Sequence, residues 1–394
     1  MDSENVGLSD ERRVNLKLPE KFEENMRLLL GDELNEYISS LDEERSYGIR
    51  VNTLKIGINE FLCAADGFLK LDGKVPWCGD GFYYVDGKPG RHPYYHAGLY
   101  YIQEPSAMFP AAAACCRPGD YVLDICAAPG GKSTQVSCAL KGEGLLVSND
   151  ISEERTKALV KNLELSGVKN AVITNEAPAA LAEKFPLFFD KVIIDAPCSG
   201  EGMFRKDDDA ISSWENFKSD KCRRMQDEIL EYADKMLKPG GLAVYSTCTF
   251  APLENERTVE AFIDAHPEYK VLNILKADGV SDGMPEFCED PDNGYNLQYA
   301  ARLFPHRIRG EGHFTAVMQK SGDPENALSA RAPAGKKKAK KKNAVSGKCS
   351  SYKLLKSVPD SVKAFFFRNM TCKPWQGCYF IMGSNLYYLP VFHN

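Results

Sequence analysis

Two cysteines stand where apolar runs end. Cys198 follows the run closed by Asp195 in "IIDAPCSG" (193–200), and Cys248 lies in "STCTF" (246–250) at the end of another. A thiolate is a nucleophile whose reactivity is set by nearby charge, whereas a lone cysteine at such a place reads as well as a small buried hydrophobe. Two on what should be one edge of one sheet, one of them beside an aspartate, read as function. A third stretch, "DICAAPGGKSTQ" (124–135), follows a strand and opens a helix, so its small residues let a ligand approach the backbone and the helix N-terminus. It is not a P-loop, because Cys126 stands where glycine is needed, and the GxGxxG spacing is absent. Asp150 closes "VSND", where an acidic residue either accepts hydrogen bonds from two ribose hydroxyls or caps the next helix. Its place after Asp124 and the glycine turn favours a nucleoside-containing cofactor. Glu176, at the next strand end, is a candidate for holding adenine, with a solvated loop carboxylate as the alternative.

The elements that must position these groups run from 119 to 265. Near-continuous apolar strands ("YVLDICA", "GLLVSND", "NAVITNE", "DKVIIDAP", "GLAVYSTCTF") alternate with helical stretches at 152–166 and 221–237. This is the pattern of an α/β fold with a mostly parallel sheet covered by helices on both faces, which binds ligands at the strand C-terminal ends. Before it, residues 1 to about 47 read as helical, with Phe22, Met26, Leu29, Leu30, Leu34 and Ile38 at near-helical spacing, and 48–105 as short strands and loops. The expected domains are 1–105, a small α/β region; 106–322, the parallel-sheet core; 323–349, a lysine-rich linker; and 350–394, a short β-containing unit.

Composition excludes less than the motifs do. The 394 residues are 43% hydrophobic and 26% charged, as in a soluble globular protein, and no apolar run approaches a membrane span. The start "MDSENVGLSDERR" lacks a secretory pattern, so a cytoplasmic protein is expected, with its thirteen cysteines reduced, Cys115 and Cys116 simply packed, and no zinc-type spacing. Formal charge is −6 despite the six lysines of "KKKAKKK" (336–342), so nucleic acid would have to be met by local patches. The lysine tract itself reads as a solvated linker, with RNA contact the second reading.

Together with "RVNTLK" (50–55), "YYIQEPSAM" (100–108), "DAPCSGEGMFRKD" (195–207) and "HRIRGEGHF" (306–314), these motifs resemble the S-adenosylmethionine-dependent RNA cytosine-5 methyltransferases of the RsmB/RsmF and Nop/Sun type, over roughly residues 15–320. The likeness is strongest to the bacterial, RsmF-like ribosomal RNA branch. It implies a Rossmann-like, S-adenosylmethionine-dependent methyltransferase domain at 106–322, an RNA-binding type of α/β region at 1–105, a short C-terminal RNA-binding unit at 350–394, RNA as partner, no metal, and a monomer. By position it implies that Cys126, Ala127, Ala128, Pro129, Gly130, Gly131 and Lys132 wrap the methionine end of the cofactor. Asp150 would take the ribose hydroxyls, Arg155 would support that site, and Glu176 would meet the adenine. Asp195 and Lys132 would lie between cofactor and base, with Cys248 as the nucleophile and Cys198 assisting release. The family more often has Glu where Asp150 stands and Asp in the adenine region. Longer bacterial members end in a PUA-like unit, which this chain is expected to stop short of.

The chemistry calls for such a set. Carbon 5 of cytosine is too poor a nucleophile to take a methyl group directly, so a thiolate adding at carbon 6 must first activate the ring. An amino-group methyltransferase would need no thiol and would carry an Asn/Asp-Pro-Pro-aromatic motif that "DAPCSG" lacks. A transfer RNA cytosine-5 methyltransferase, and a silent RNA-binding assembly factor on the same fold, are the remaining alternatives.

Overall fold

The computed structural model describes residues 18–205, 209–216, 219–323, 353–355, 357–369, 377–382 and 385–390. The lysine tract at 336–342 lies outside them, as do residues 1–17. The chain divides into two compact units, Met1–Ala327 and Leu328–Asn394.

The larger unit is built on a nine-stranded sheet. Ahead of it comes a small antiparallel sheet of β1 (Tyr47–Val51), β2 (Lys70–Lys74), β3 (Gly81–Asp86) and β4 (Tyr100–Ile102), in the order β2-β3-β1-β4. In the main sheet β5 (Tyr121–Asp124), β6 (Leu145–Asn149), β7 (Ala171–Thr174), β8 (Phe189–Asp195) and β9 (Leu237–Thr247) run parallel in the order β7-β6-β5-β8-β9. The chain leaves β5 toward β6 on one side and returns to β8 on the other, which makes the ends of β5 and β8 the switch point where ligands bind in such sheets. The antiparallel extension on β9 is legible only in the structure: β10 (Tyr269–Leu272), β11 (Ser281–Asp282), β12 (Ala301–Leu303) and β13 (His313–Lys320), with β13 against β9. The interiors of β6, β8 and β9 are buried, which accounts for their apolar composition.

The N-terminal helical stretch is two helices, α1 (Glu20–Leu30) and α2 (Leu34–Leu41), parted by a 3-10 turn that starts at Gly31 with φ 54. Phe22, Met26, Leu29, Leu34 and Tyr37 are buried against Phe204, Phe250 and Phe304, so these helices brace the loops that follow both cysteine motifs. Helix α3 (Gly131–Leu140) carries no apolar stripe, yet Lys132, Ser133, Thr134, Gln135, Val136, Ser137, Cys138 and Leu140 are all buried. Polar partners make that possible. Arg50, 1% exposed, donates to the Gly131 carbonyl at 3.0 Å and to Thr134 Oγ1 at 2.6 Å, which ties β1 to the glycine turn. Asn52 adds bonds to the carbonyls of Gly98 and Ser166. Helix α4 (Glu153–Ser166) starts at Ser152, whose hydroxyl accepts from Arg155 N, and stops at Gly167 with φ 74. Cys115 corrects the expectation of a packed pair: it is exposed with φ 46 where the chain leaves a short helix, while Cys116 is half-buried.

The smaller unit contains a three-stranded antiparallel sheet, Lys353–Leu355, Gly377–Met382 and Asn385–Pro390, and a helix, Asp360–Asn369.

Candidate active site

At the C-terminal ends of β5, β6, β8 and β9 lies a cavity of about 670 Å³, within the usual range for small-molecule sites. The cysteines form one wall. Cys198 Sγ and Cys248 Sγ are 3.1 Å apart as free thiols, and Cys248 N donates to Cys198 Sγ at 3.3 Å. The hydrogen bond to Cys248 and then burial hold the Cys198 thiol well above its ordinary value, so the protonated form of Cys198 is favoured. Two buried carboxylates fix the loops. Glu201 accepts from Thr249 Oγ1 at 2.8 Å, Phe250 N at 2.8 Å and Trp214 Nε1 at 3.0 Å, and Glu254 accepts from Ser199 N and Gln226 Nε2, each at 3.0 Å. Gly202 N donates to the Cys248 carbonyl at 2.8 Å, and a Cβ there would lie 3.0 Å from that oxygen and from the Gly312 carbonyl, so a side chain would push the two loops apart by a few tenths of an ångström.

Beside the thiols, Lys132 Nζ donates to Asp195 Oδ2 at 2.7 Å, and Ser246 Oγ donates to Asp195 Oδ1 at 3.2 Å. Burial works against both charges. For Lys132 the Asp195 carboxylate outweighs it and holds the amine above its ordinary value, while for Asp195 the Lys132 ammonium holds the carboxyl below. The pair is therefore ionised, with Asp195 about one-third exposed to the cavity.

The glycine turn forms the floor. Ala127 N donates to the Asn149 carbonyl at 2.7 Å and Gly130 N to the Ala127 carbonyl at 2.8 Å. Asp150, 2% exposed, accepts from Ser152 N at 2.9 Å and Ala128 N at 3.3 Å and faces Arg155 Nη1 at 3.3 Å. Ser152, not Asp150, is thus the helix cap. Arg155 also donates to the Ala128 carbonyl at 2.8 Å. Cys126, Ala127, Ala128, Pro129, Gly131, Lys132, Asp150, Arg155, Asp195, Cys198 and Cys248 all border the cavity. Two expected residues do not. Gly130 turns, at φ 113, toward Leu159 and Asn162 of α4, and Glu176 is exposed, its backbone held by Asn149 while Ala177, Pro178 and Ala179 form that wall.

The structure also brings in groups that were not assigned a role from sequence. Tyr101, Gln103 and Glu104 from the end of β4, and His313 from the start of β13, border the cavity. His313 Nδ1 lies 3.2 Å from Ser106 Oγ, which donates to Glu104 Oε2 at 2.5 Å. Burial, then the Lys132 charge, pushes the His313 imidazole down to about 4. The only signal was their presence in "YYIQEPSAM" and "HRIRGEGHF", with nothing in either stretch to say that they meet.

The parallel sheet, its switch point and the cavity there define a Rossmann-like methyltransferase fold. Solved structures agree: a methyltransferase homolog protein from Pyrococcus horikoshii superimposes with a TM-score of 0.67 at 29% identity, covering 77% of this chain and 96% of that one. NSun6 from Pyrococcus horikoshii, solved with SFG, shows the same fold with a TM-score of 0.64 at 23% identity, covering 77% and 99%. A family model described as 16S rRNA methyltransferase RsmB/F matches residues 113–319, and one described as the N-terminal domain of 16S rRNA methyltransferase RsmF matches 18–105. The chain belongs to the RsmB/F methyltransferase family. Among curated relatives, ribosomal RNA small subunit methyltransferase F of Vibrio campbellii is 34% identical over 314 residues and that of Vibrio parahaemolyticus 35% over 318. Each match covers 78% of this chain and 64% of the relative, so the chain spans just under two thirds of their length.

The residues present fit S-adenosylmethionine, the cofactor of this family. Asp124, wholly buried at the cavity edge, has an Oδ1 with no partner among the described residues, and burial pushes its carboxyl up to about 7 against the Ser133 hydrogen bond. A cationic ligand group beside it would relieve that cost. Ile151, Pro178, Met225 and Ile229 supply apolar surface for a purine.

Proposed function

We propose that this protein transfers a methyl group from S-adenosylmethionine to carbon 5 of a cytosine in ribosomal RNA, through a covalent bond between Cys248 and carbon 6. The observation that carries the reading is the pair of free thiols 3.1 Å apart on one cavity wall, next to the ionised Lys132–Asp195 pair. Its hydrogen bond to Cys248 and its burial favour the protonated form of Cys198. By its position in "STCTF" Cys248 is the thiol that adds, with the Cys198 S–H and the nearby Lys132 ammonium stabilising its thiolate. Addition moves the carbon 5–carbon 6 electron pair onto carbon 5. Asp195, kept ionised, is an acceptor for the cytosine amino group and holds the ring against the thiol. Asp150 and the 126–132 turn hold the cofactor, which supplies an electrophilic methyl group to carbon 5. Loss of the carbon 5 proton then restores the double bond and expels Cys248 as thiolate, with Cys198 again donating to the departing sulfur. A base stacked in a helix is out of reach of a cavity of this kind, so the target is single-stranded or flipped out.

The test is methylation of unmodified 16S ribosomal RNA by the purified protein, read by bisulfite sequencing. One protected cytosine that depends on the protein is expected. Methylation of bulk transfer RNA alone would favour the transfer RNA alternative, binding without methyl transfer would favour the silent assembly factor, and methylation on an exocyclic nitrogen would overturn the cysteine chemistry.

A further inference from the structure

The cysteine mechanism leaves one proton without a destination, the one on carbon 5 after methylation. Cys198 is in the wrong form to take it, since its hydrogen bond to Cys248 and its burial keep it a thiol. His313 is in the right form. The β13–β9 ladder ends at the pair Phe314–Thr247, His313 and Cys248 are the residues just beyond that pair on the two strands, and both border the same cavity.

Its tautomer follows from its neighbours. Glu104 accepts from the backbone N–H groups of Ser106, Ala107 and Glu311 at 2.8–2.9 Å, so it is the acceptor for the Ser106 hydroxyl as well. Having spent its only proton there, Ser106 Oγ can only accept, from Gly312 N at 3.2 Å and from His313 Nδ1 at 3.2 Å. Nδ1 therefore carries the ring hydrogen, and Nε2 is left with a free lone pair, without a hydrogen-bond partner among the described residues. Burial and Lys132 keep the ring neutral at physiological pH. Glu104, through Ser106, and Asp195 oppose Lys132 and favour the cation once it forms.

We infer that His313 Nε2 is the base that takes the carbon 5 proton. The carbon 5–hydrogen bond breaks, and its electron pair becomes the carbon 5–carbon 6 double bond. The carbon 6–sulfur bond breaks toward Cys248, and the proton passes to Nε2, giving an imidazolium that returns it to water. Ser106 and Glu104 are positioning residues that fix the tautomer.

The inference rests on the cysteine-adduct reading, and its test separates the two. Full-length wild type and His313→Ala are compared on unmodified 16S ribosomal RNA and on the same RNA transcribed with 5-fluorocytosine, which has no proton at carbon 5 to remove. His313→Ala should lose turnover on ordinary RNA by about 10²–10⁴-fold, the usual worth of a general base, and should accumulate a methylated protein–RNA adduct on a denaturing gel. On the fluorinated RNA it should form adduct as fast as wild type. His313→Gln, which keeps the polar volume, should show the same pattern and serves if the alanine variant does not fold. Wild-type turnover in either variant would overturn the role of His313, as would adduct formation on fluorinated RNA falling in step with turnover. No adduct from wild type on fluorinated RNA would instead overturn the cysteine reading.

Discussion

Along the cavity wall that carries Cys198 and Cys248, the two loops are joined through Glu201 and Glu254, 3% and 0% exposed, while across the cavity Ile151 is 70% exposed and Met225 39%. The thiol wall is fixed before any ligand arrives, by carboxylates that accept backbone and side-chain hydrogens from both loops. The opposite wall, where we propose the nucleoside binds, offers apolar surface and one well-anchored acceptor, Asp150. The difference fits what each wall does in the proposed mechanism. Bond formation at sulfur loses rate steeply with misplacement of about 1 Å, whereas binding a nucleoside sums many contacts that tolerate small shifts.

Breaking the fixed wall should have the largest effect. Glu201→Ala strands three donors, Thr249 Oγ1, Phe250 N and Trp214 Nε1, in a buried site. At about 1–3 kcal/mol for each unsatisfied group, thermal or urea unfolding should show a loss of at least about 3 kcal/mol together with lost turnover; a variant as stable as wild type would mean the loops do not depend on Glu201. Asp150→Ala should act on the other wall, weakening S-adenosylmethionine binding by about 1.5–3 kcal/mol for a charged hydrogen bond while leaving stability less affected. Calorimetry checks this, and an unchanged dissociation constant would confine Asp150 to holding Ala128 and Ser152. Glu176→Ala sharpens the contrast: the exposed side chain should alter cofactor affinity by less than about 0.5 kcal/mol, the usual range for a surface change, and a loss matching that of Asp150→Ala would restore the adenine role expected from sequence.

A modest effect, on stability alone, concerns the N-terminal brace. Hydrogen bonds from Arg307 and then His306 lower the Glu33 carboxyl from 4.5 to about 2. A folded-state value below the unfolded one contributes stability above about pH 4.5 that is lost as pH falls toward 2. Because Glu33 and Arg307 are both more than a third exposed, the contribution is at most about 1 kcal/mol. Glu33→Gln should flatten the acid limb of the stability curve by that amount, and an identical limb in the variant would remove Glu33 from the account.

What could be read from sequence divides along the same line. The parallel strands were legible because burial on both faces makes them near-continuously apolar, and the cysteines because their motifs end such strands. Helix α3 was legible only by its place after the turn, since it is buried all round yet polar, with Arg50, Asp124 and Ser148 as partners. Glu176 ends a strand in the expected way, but its backbone is held by Asn149 and its side chain is exposed, as in the solvated-carboxylate alternative. Ser106 and His313 meet across 207 residues of sequence, a contact made by the ladder of β13 on β9 and by no local pattern. Strands β10–β13 were missed as an antiparallel extension added to a parallel pattern.

The central claim is that the two thiols, 3.1 Å apart, have different tasks. It is tested most directly by incubating Cys198→Ala and Cys248→Ala with unmodified 16S ribosomal RNA and S-adenosylmethionine and resolving the products on a denaturing gel. Both variants should stop turning over. Cys198→Ala should accumulate a covalent protein–RNA adduct, and Cys248→Ala, like the double variant, should form none. Adduct from Cys248→Ala but not from Cys198→Ala would reverse the roles, and methylation persisting in either variant without adduct would contradict the two-cysteine mechanism.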